Sequence, residues 1–334
     1  MPRRATVILT LAAIAAILSA CGDDDGGTGN TKLRVITTVS PITSIVENVG
    51  GTAIELDGVI PEGVSSHTFE PPTSVVGAIE AADLIILNGL QLEEATLELA
   101  RSNKKGDADI LLLGDETITP DLYRYDASFP QDQGKPNPHL WPNPELATRY
   151  ATLVHDKLVD MDGANKDYYD TNFEAFKKRL ERLDQQIRVA AQTVPEANRK
   201  LVTYHASWAY WADRYGFTVI GPIQPAGLGE PSASQIASLV EQIKSEEIPA
   251  IFGSEVFPSN VLATMAEDAG AAYVDDLRDD DLPGDPGDED HSYLGMMVNN
   301  MRILIPALGG DASPMDIVDT SLVFEGASTA RYAE

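Results

Sequence analysis

The chain has 334 residues, 52 of them acidic and 24 basic, for a formal charge of −28 with neutral histidines. Such a surface repels phosphate backbones, which excludes nucleic acid as a partner, and it concentrates cations around the protein. One cysteine excludes an intramolecular disulfide.

The first twenty residues pair a basic start at Arg3 and Arg4 with the apolar run ATVILTLAAIAAIL. That run is too short to span a bilayer and reads as a secretory signal peptide, residues 1–20. Leu18-Ser19-Ala20 before Cys21 resembles the lipobox of bacterial lipoproteins, so Cys21 is expected to be the acylated residue. Residues 21–31, acidic and Gly-rich, then read as a hydrated tether, and loss of the leader takes the charge from −28 to −30 because two arginines leave with it. The protein is expected outside the cytoplasm, held to the membrane by lipid. About 300 residues remain, enough for two domains with cores of their own.

From residue 32 onward, short β-branched runs alternate with amphipathic stretches, the pattern of α/β units around mostly parallel sheets. KLRVITT is a predicted strand. The helix after it starts at Ser40-Pro41 and stops at Gly50-Gly51. There follow a strand over 53–60, a helix over 73–82, strand LIILN, a helix over 92–103, strand ILLL and a helix over 144–162. Residues 32–162 thus form a first lobe. Over 163–195 there is a long stretch without Pro or Gly in its body, where Tyr169, Phe173, Phe176, Leu180, Leu183 and Ile187 recur at helical spacing. One buried stripe of that length predicts a single rigid spine helix. The alternation resumes with strand KLVTYH, a helix over 207–215, strand FTVI, a helix over 232–246, strand AIFG, a helix over 259–269, strand AAYVDD and a helix over 292–307. Residues 196–308 make the second lobe, and 309–334, without clear periodicity, a tail. The expected fold class is α/β, with two lobes joined by the spine.

Four of the five histidines fall at element ends. His67 lies in the turn GVSSHTFEPP after a strand, His139 in the stiff loop PNPHLWPNP, His205 at the end of KLVTYH, and His291 at the start of the last helix. Ligands of open α/β sheets bind beyond the carboxyl ends of strands, so these loops can converge on one interlobe cleft. His155, within a helix beside Asp156 and Lys157, reads as a solvated residue. The spacings of 72, 66 and 86 residues match no local zinc signature, and the residues by themselves admit a metal site without requiring one.

Several segments, taken together and in order, resemble the zinc- and manganese-binding receptors of bacterial ABC importers, the cluster A-I solute-binding proteins. They are VITTVSPITSIVENVGG, GVSSHTFEPPTSVVGAIEAADLIILNGLQLE, PNPHLWPNP, LVTYHASWAYWADRYGF, EPSASQIASLVEQIKSEEIPAIFGSEVF and SYLGMMVNNMRIL, spanning residues 32 to 308. The resemblance implies that His67, His139 and His205 are the first three metal ligands. It puts the fourth, in much of the family an Asp shortly before the Tyr-x-x-Met-Met run, at His291, with Asp290 and Glu255 as alternatives. An all-imidazole set suits Zn(II) better than Mn(II), which prefers oxygen. The acidic loop over 275–290 can gather cations, although such charge runs are ordinarily solvated.

The resemblance therefore implies a monomeric receptor that performs no reaction, captures Zn(II) or, as the alternative, Mn(II), and passes it to a separate permease and ATPase. Two other classes compete. A zinc hydrolase needs an open coordination position and a carboxylate base, for which Glu70 or Glu255 would serve. A surface adhesin would hold no tight metal.

Overall fold

The computed structural model describes residues 32–332 except 226–227, 257–259 and 276; the leader, Cys21 and the tether lie outside the described residues. Among the described residues no helix is long and apolar enough to cross a membrane.

In chain order the first half builds β1 (Leu33–Thr37), α1 (Ser40–Gly50), β2 (Ile54–Gly58), α2 (Thr73–Ala81), β3 (Leu84–Leu87), α3 (Glu94–Asn103), β4 (Asp109–Leu112), α4 (Leu113–Thr117) and α5 (Pro144–Met161). The spine is α6 (Lys166–Thr193). After it come β5 (Lys200–Thr203), α7 (Ala209–Tyr215), β6 (Thr218–Pro222), α8 (Ala233–Ser245), β7 (Ala250–Phe252), α9 (Asn260–Ala269), β8 (Ala272–Val274), α10 (Tyr293–Ala307) and β9 (Ala330–Arg331). Two all-parallel sheets result, ordered β4-β3-β1-β2-β9 and β6-β5-β7-β8.

Central β3 is a continuous apolar run because both faces of the sheet are covered there; Leu84, Ile85, Ile86 and Leu87 are all fully buried, whereas β2 alternates. In the second sheet the two-residue period sorts side chains between two cores. Leu201, Ala250 and Phe252 face the main core, whereas Val202 and Ile251 join a separate cluster with Val240, Ile243, Leu262 and Met265 under α8 and α9. The main core runs unbroken from the first sheet through α6 to Trp208, Trp211 and α10.

At 28 residues, α6 is about 42 Å long, at 1.5 Å rise per residue. Its buried stripe of Tyr169, Phe173, Phe176, Leu180, Leu183 and Ile187 packs on α1, α5, α7 and α10. Gly51 turns the chain out of α1 at φ 51°, where a side chain would run into the Tyr168 hydroxyl of α6. Thr52 N donates to that hydroxyl at 3.1 Å, which fixes the end of α1 to the spine.

The chain after residue 308 departs from its expectation as a tail. Residues 313–317 form a 3-10 turn against α6, and β9 then joins the first sheet, pairing Leu56 with Ala330 and Asp57 with Arg331. Fully buried Glu47 of α1 accepts from Ser328 Oγ, Thr329 N and Ala330 N at 2.7, 2.8 and 3.1 Å, and Arg331 forks onto Asp57. This return rests on backbone and carboxylate bonds over two strand residues, so it leaves no hydrophobic period to read.

Candidate metal centre

The carboxyl ends of two parallel strands, together with a long loop ahead of α5, deliver the site. The 59–72 loop after β2 carries His67, and the loop before α5 carries His139. His205 stands two residues past β5, where Thr203 Oγ1 donates to its carbonyl at 2.6 Å. The three Nε2 atoms form a nearly equilateral triangle, with His67 to His139 at 3.1 Å, His67 to His205 at 3.2 Å and His205 to His139 at 3.1 Å. Among the described residues this is the one group of His, Cys, Asp and Glu whose ligand atoms meet closely enough to share a metal ion.

The far side of two rings is committed. His139 Nδ1 lies 2.9 Å from Asn137 Oδ1, and His205 Nδ1 lies 2.7 Å from Gln224 Oε1. An amide oxygen only accepts, so each Nδ1 carries the proton and each Nε2 turns a lone pair into the triangle. The acceptors are fixed in turn. Asn137 Nδ2 donates to Asp126 Oδ2 and Ala206 O, and Gln224 Nε2 donates to Leu228 O at 2.9 Å. Behind His139, Asn88 Nδ2 donates to Pro138 O at 3.0 Å, and Tyr150 and Glu93 hold Asn88 in place. Phe129 and Trp141 close over the imidazoles.

Three lone pairs this close need a cation between them. At about 2.0–2.1 Å from each nitrogen, the length of a zinc–imidazole bond, an ion would see N–metal–N angles of about 100°, leaving a fourth direction open. The imidazoles are also held neutral, as ligands must be. Burial pushes His67 and His139 well below the usual imidazole value; His205 and Lys135 add to this at His67, and His205 and His67 add to it at His139. Burial lowers His205 as well, against the Gln224 bond and the negative charges of Asp280 and Asp126.

The expected fourth ligand is elsewhere. His291 is not in the group: its Nδ1 lies 3.3 Å from Pro283 O, its Nε2 is 3.8 Å from Glu62 Oε1, and its ring meets Tyr332 edge-on. Starting the last helix puts it one loop away from the triangle. Asp290 instead accepts from Thr320 Oγ1 at the surface. Glu255, at the end of β7, spends Oε1 on the backbone N–H groups of Asp279, Asp280 and Asp281 at 2.7, 3.0 and 3.2 Å. It thereby shapes the turn after β8 and keeps away from the imidazoles.

That turn holds what the sequence reading missed. Asp279, Asp280 and Asp281 are 2, 3 and 7% exposed, in a segment expected to be solvated. Leu277 and Leu282, both buried, bracket them and were the available signal. Asp279 Oδ2 lies 3.8 Å from His205 Nε2 but accepts from Ser207 Oγ, while Asp279 Oδ1 accepts from Ser254 Oγ at 3.4 Å. Asp280 Oδ2 accepts from Ser66 N at 2.9 Å, beside His67, while its Oδ1 is buried without a hydrogen-bond partner among the described residues. Burial and mutual repulsion push Asp279 up to about 7 and Glu255 well above the carboxylate range, and burial raises Asp280 too. Gly63 N to Asp281 at 2.8 Å and Leu282 N to Glu62 at 3.2 Å complete a clasp between the His67 loop and the acidic turn. His155 sits on α5 between Asp156 and Asp170, stacked on Phe173, away from the site.

Comparison with known proteins agrees with this geometry. A family profile described as "Zinc-uptake complex component A periplasmic" matches residues 35–307. The metal ABC transporter substrate-binding lipoprotein FimA of Streptococcus parasanguinis is 29% identical over 90% of this chain and 97% of its own length. The manganese ABC transporter substrate-binding lipoprotein PsaA of Streptococcus pneumoniae is 28% identical over 92% and 99%. Among solved structures, the periplasmic zinc-binding protein TroA of Treponema pallidum superposes with a TM-score of 0.75 at 26% identity, over 83% of this chain and 99% of its own. The chain belongs to the zinc-uptake complex component A family, the periplasmic metal-binding receptors of ABC importers, which bind their solute and do not transform it.

Proposed function

We propose that this protein captures Zn(II) with His67, His139 and His205, with Asp280 as the fourth ligand, and hands it to a membrane permease driven by a separate ATPase. The observation that carries the reading is the triangle of Nε2 atoms at 3.1–3.2 Å. Neutral imidazoles suit zinc, and zinc accepts a three-nitrogen, one-oxygen tetrahedron without electronic penalty. Asp280 is favoured because its charge bears on His205, one oxygen already binds the His67 loop, and the other is buried without a partner.

The one carboxylate gives a second reading its support. Manganese prefers oxygen ligands, and a similar lipoprotein is named for manganese. In either case we place the protein outside the cytoplasm as a monomer, anchored by a lipid on Cys21.

The deciding experiment is metal analysis of residues 32–334 after purification, followed by competition between Zn(II) and Mn(II). One equivalent of zinc that excess manganese does not displace supports the proposal. A protein that takes up neither ion refutes it, and manganese retained against zinc establishes the second reading.

A further inference from the structure

A cavity of about 340 Å³ adjoins the site, and of the three imidazoles only His67 lines it. His139 and His205 are sealed at 0 and 2% exposure, so the space beside His67 is the way to the triangle that these residues leave. Phe129 and Ser128 form its inner wall, and both are buried. Its outer wall bears two exposed carboxylates, Glu70 and Glu94, and one cation, Lys135. Lys135 Nζ lies 3.7 Å from Glu94 Oε2, across the space between the 118–137 loop and the start of α3, and the side chains are 50 and 63% exposed.

We infer that this cavity is the route of the metal ion and that the Lys135–Glu94 pair is an electrostatic gate across it. The inference rests on the metal-receptor reading above. Glu70 and Glu94 would draw a divalent cation to the opening, whereas Lys135, poised on Glu94, offsets that attraction and must swing aside for the ion to pass. An exposed pair of this kind contributes little to stability and can open readily. Its charge nevertheless acts on a double charge at close range, where one unit changes an encounter rate several-fold.

The test is stopped-flow association of Zn(II) with residues 32–334 at low ionic strength, after an equilibrium titration of each variant. Lys135→Ala should speed association about three- to tenfold and Lys135→Glu further, with the gain shrinking as salt rises. Lys177→Ala, on the spine helix, removes the same charge elsewhere and should change the rate less than twofold. Release from Lys135→Ala should be as fast as from wild type or faster, since a gate acts on passage in both directions. Association unchanged in Lys135→Ala, or raised equally by Lys177→Ala, overturns the gate. So does an affinity gained through slower release alone, which would place the effect of Lys135 on the bound ion. If the titration shows no zinc bound by wild type, the receptor reading has failed instead.

Discussion

Asn137 Oδ1 and His139 Nδ1 lie 2.9 Å apart, and the same amide oxygen also accepts the His139 backbone N–H at 3.0 Å. One side chain therefore sets the tautomer, the ring orientation and the backbone of a ligand it does not itself join. Outer partners of this kind commonly contribute about 10- to 100-fold to metal affinity. Asn137→Ala should accordingly weaken zinc binding within that range in a chelator competition, and Gln224→Ala should do the same through His205. Affinities unchanged in both variants would mean that the rings are oriented by packing alone.

How much of this was legible depended on what carried the signal. Elements built on hydrophobic period stood out: the spine stripe from Tyr169 to Ile187, the runs of β1 to β8, and Ser40-Pro41 at the start of α1 all fold where the pattern puts them. His67, His139 and His205 were found by motif, and the ends of β2 and β5 with the loop before α5 bring them together. The reading failed where tertiary bonds override local rules. Acidic Asp279–Asp281 reads as solvent-facing until Glu255, on the far side of α9 and β8 in the chain, is seen to gather its amides. β9 has no pattern because Glu47 and the edge of β2 hold it.

Stability should depend on pH through Glu93, which burial pushes up to about 7 from an ordinary 4.5. A raised folded value means that the folded state keeps its proton while the unfolded state loses it. The stabilisation is complete below about pH 4.5 and is lost as pH rises toward 7, by about 3 kcal/mol in all. Glu93→Gln cannot titrate. The stability difference between wild type and this variant, from urea titrations, should therefore shrink by about that amount between pH 5 and pH 8. A constant difference would show that Glu93 is ionised throughout.

The return of the chain end to the first sheet is also open to test. Removing residues 328–334 strips three donors from Glu47, which is 1% exposed, and leaves a buried carboxylate without them. The expected cost is about 3 kcal/mol, since a buried charged acceptor loses its partners while nothing replaces them. Full-length Glu47→Gln keeps an acceptor oxygen at the same place and should lose less. A truncated protein that unfolds at the same urea concentration as the full chain would make the strand an ornament of the fold.

The fourth ligand separates Asp280 from His291. Asp280→Asn keeps an oxygen for Ser66 N, so the His67 loop stays tethered, but it removes the negative charge that faces the imidazoles. Zinc affinity should fall at least about tenfold, equivalent to about 1.4 kcal/mol. His291→Ala removes a ring that is 1% exposed and packed on Tyr332, so its effect belongs to stability, at about 2 kcal/mol, with zinc affinity held within about twofold. His291→Asp should likewise leave the preference between zinc and manganese as it was, because the new carboxylate would stand beside Glu62 and Pro283, outside the triangle. Asp290→Ala, which frees only Thr320 at the surface, should bind as wild type does. Calorimetric titration of all four variants with Zn(II), alongside their unfolding midpoints, distinguishes ligation from packing. If His291→Ala abolishes binding while Asp280→Asn retains it, the loop between β8 and α10 must rearrange on capture, and the histidine is the ligand after all.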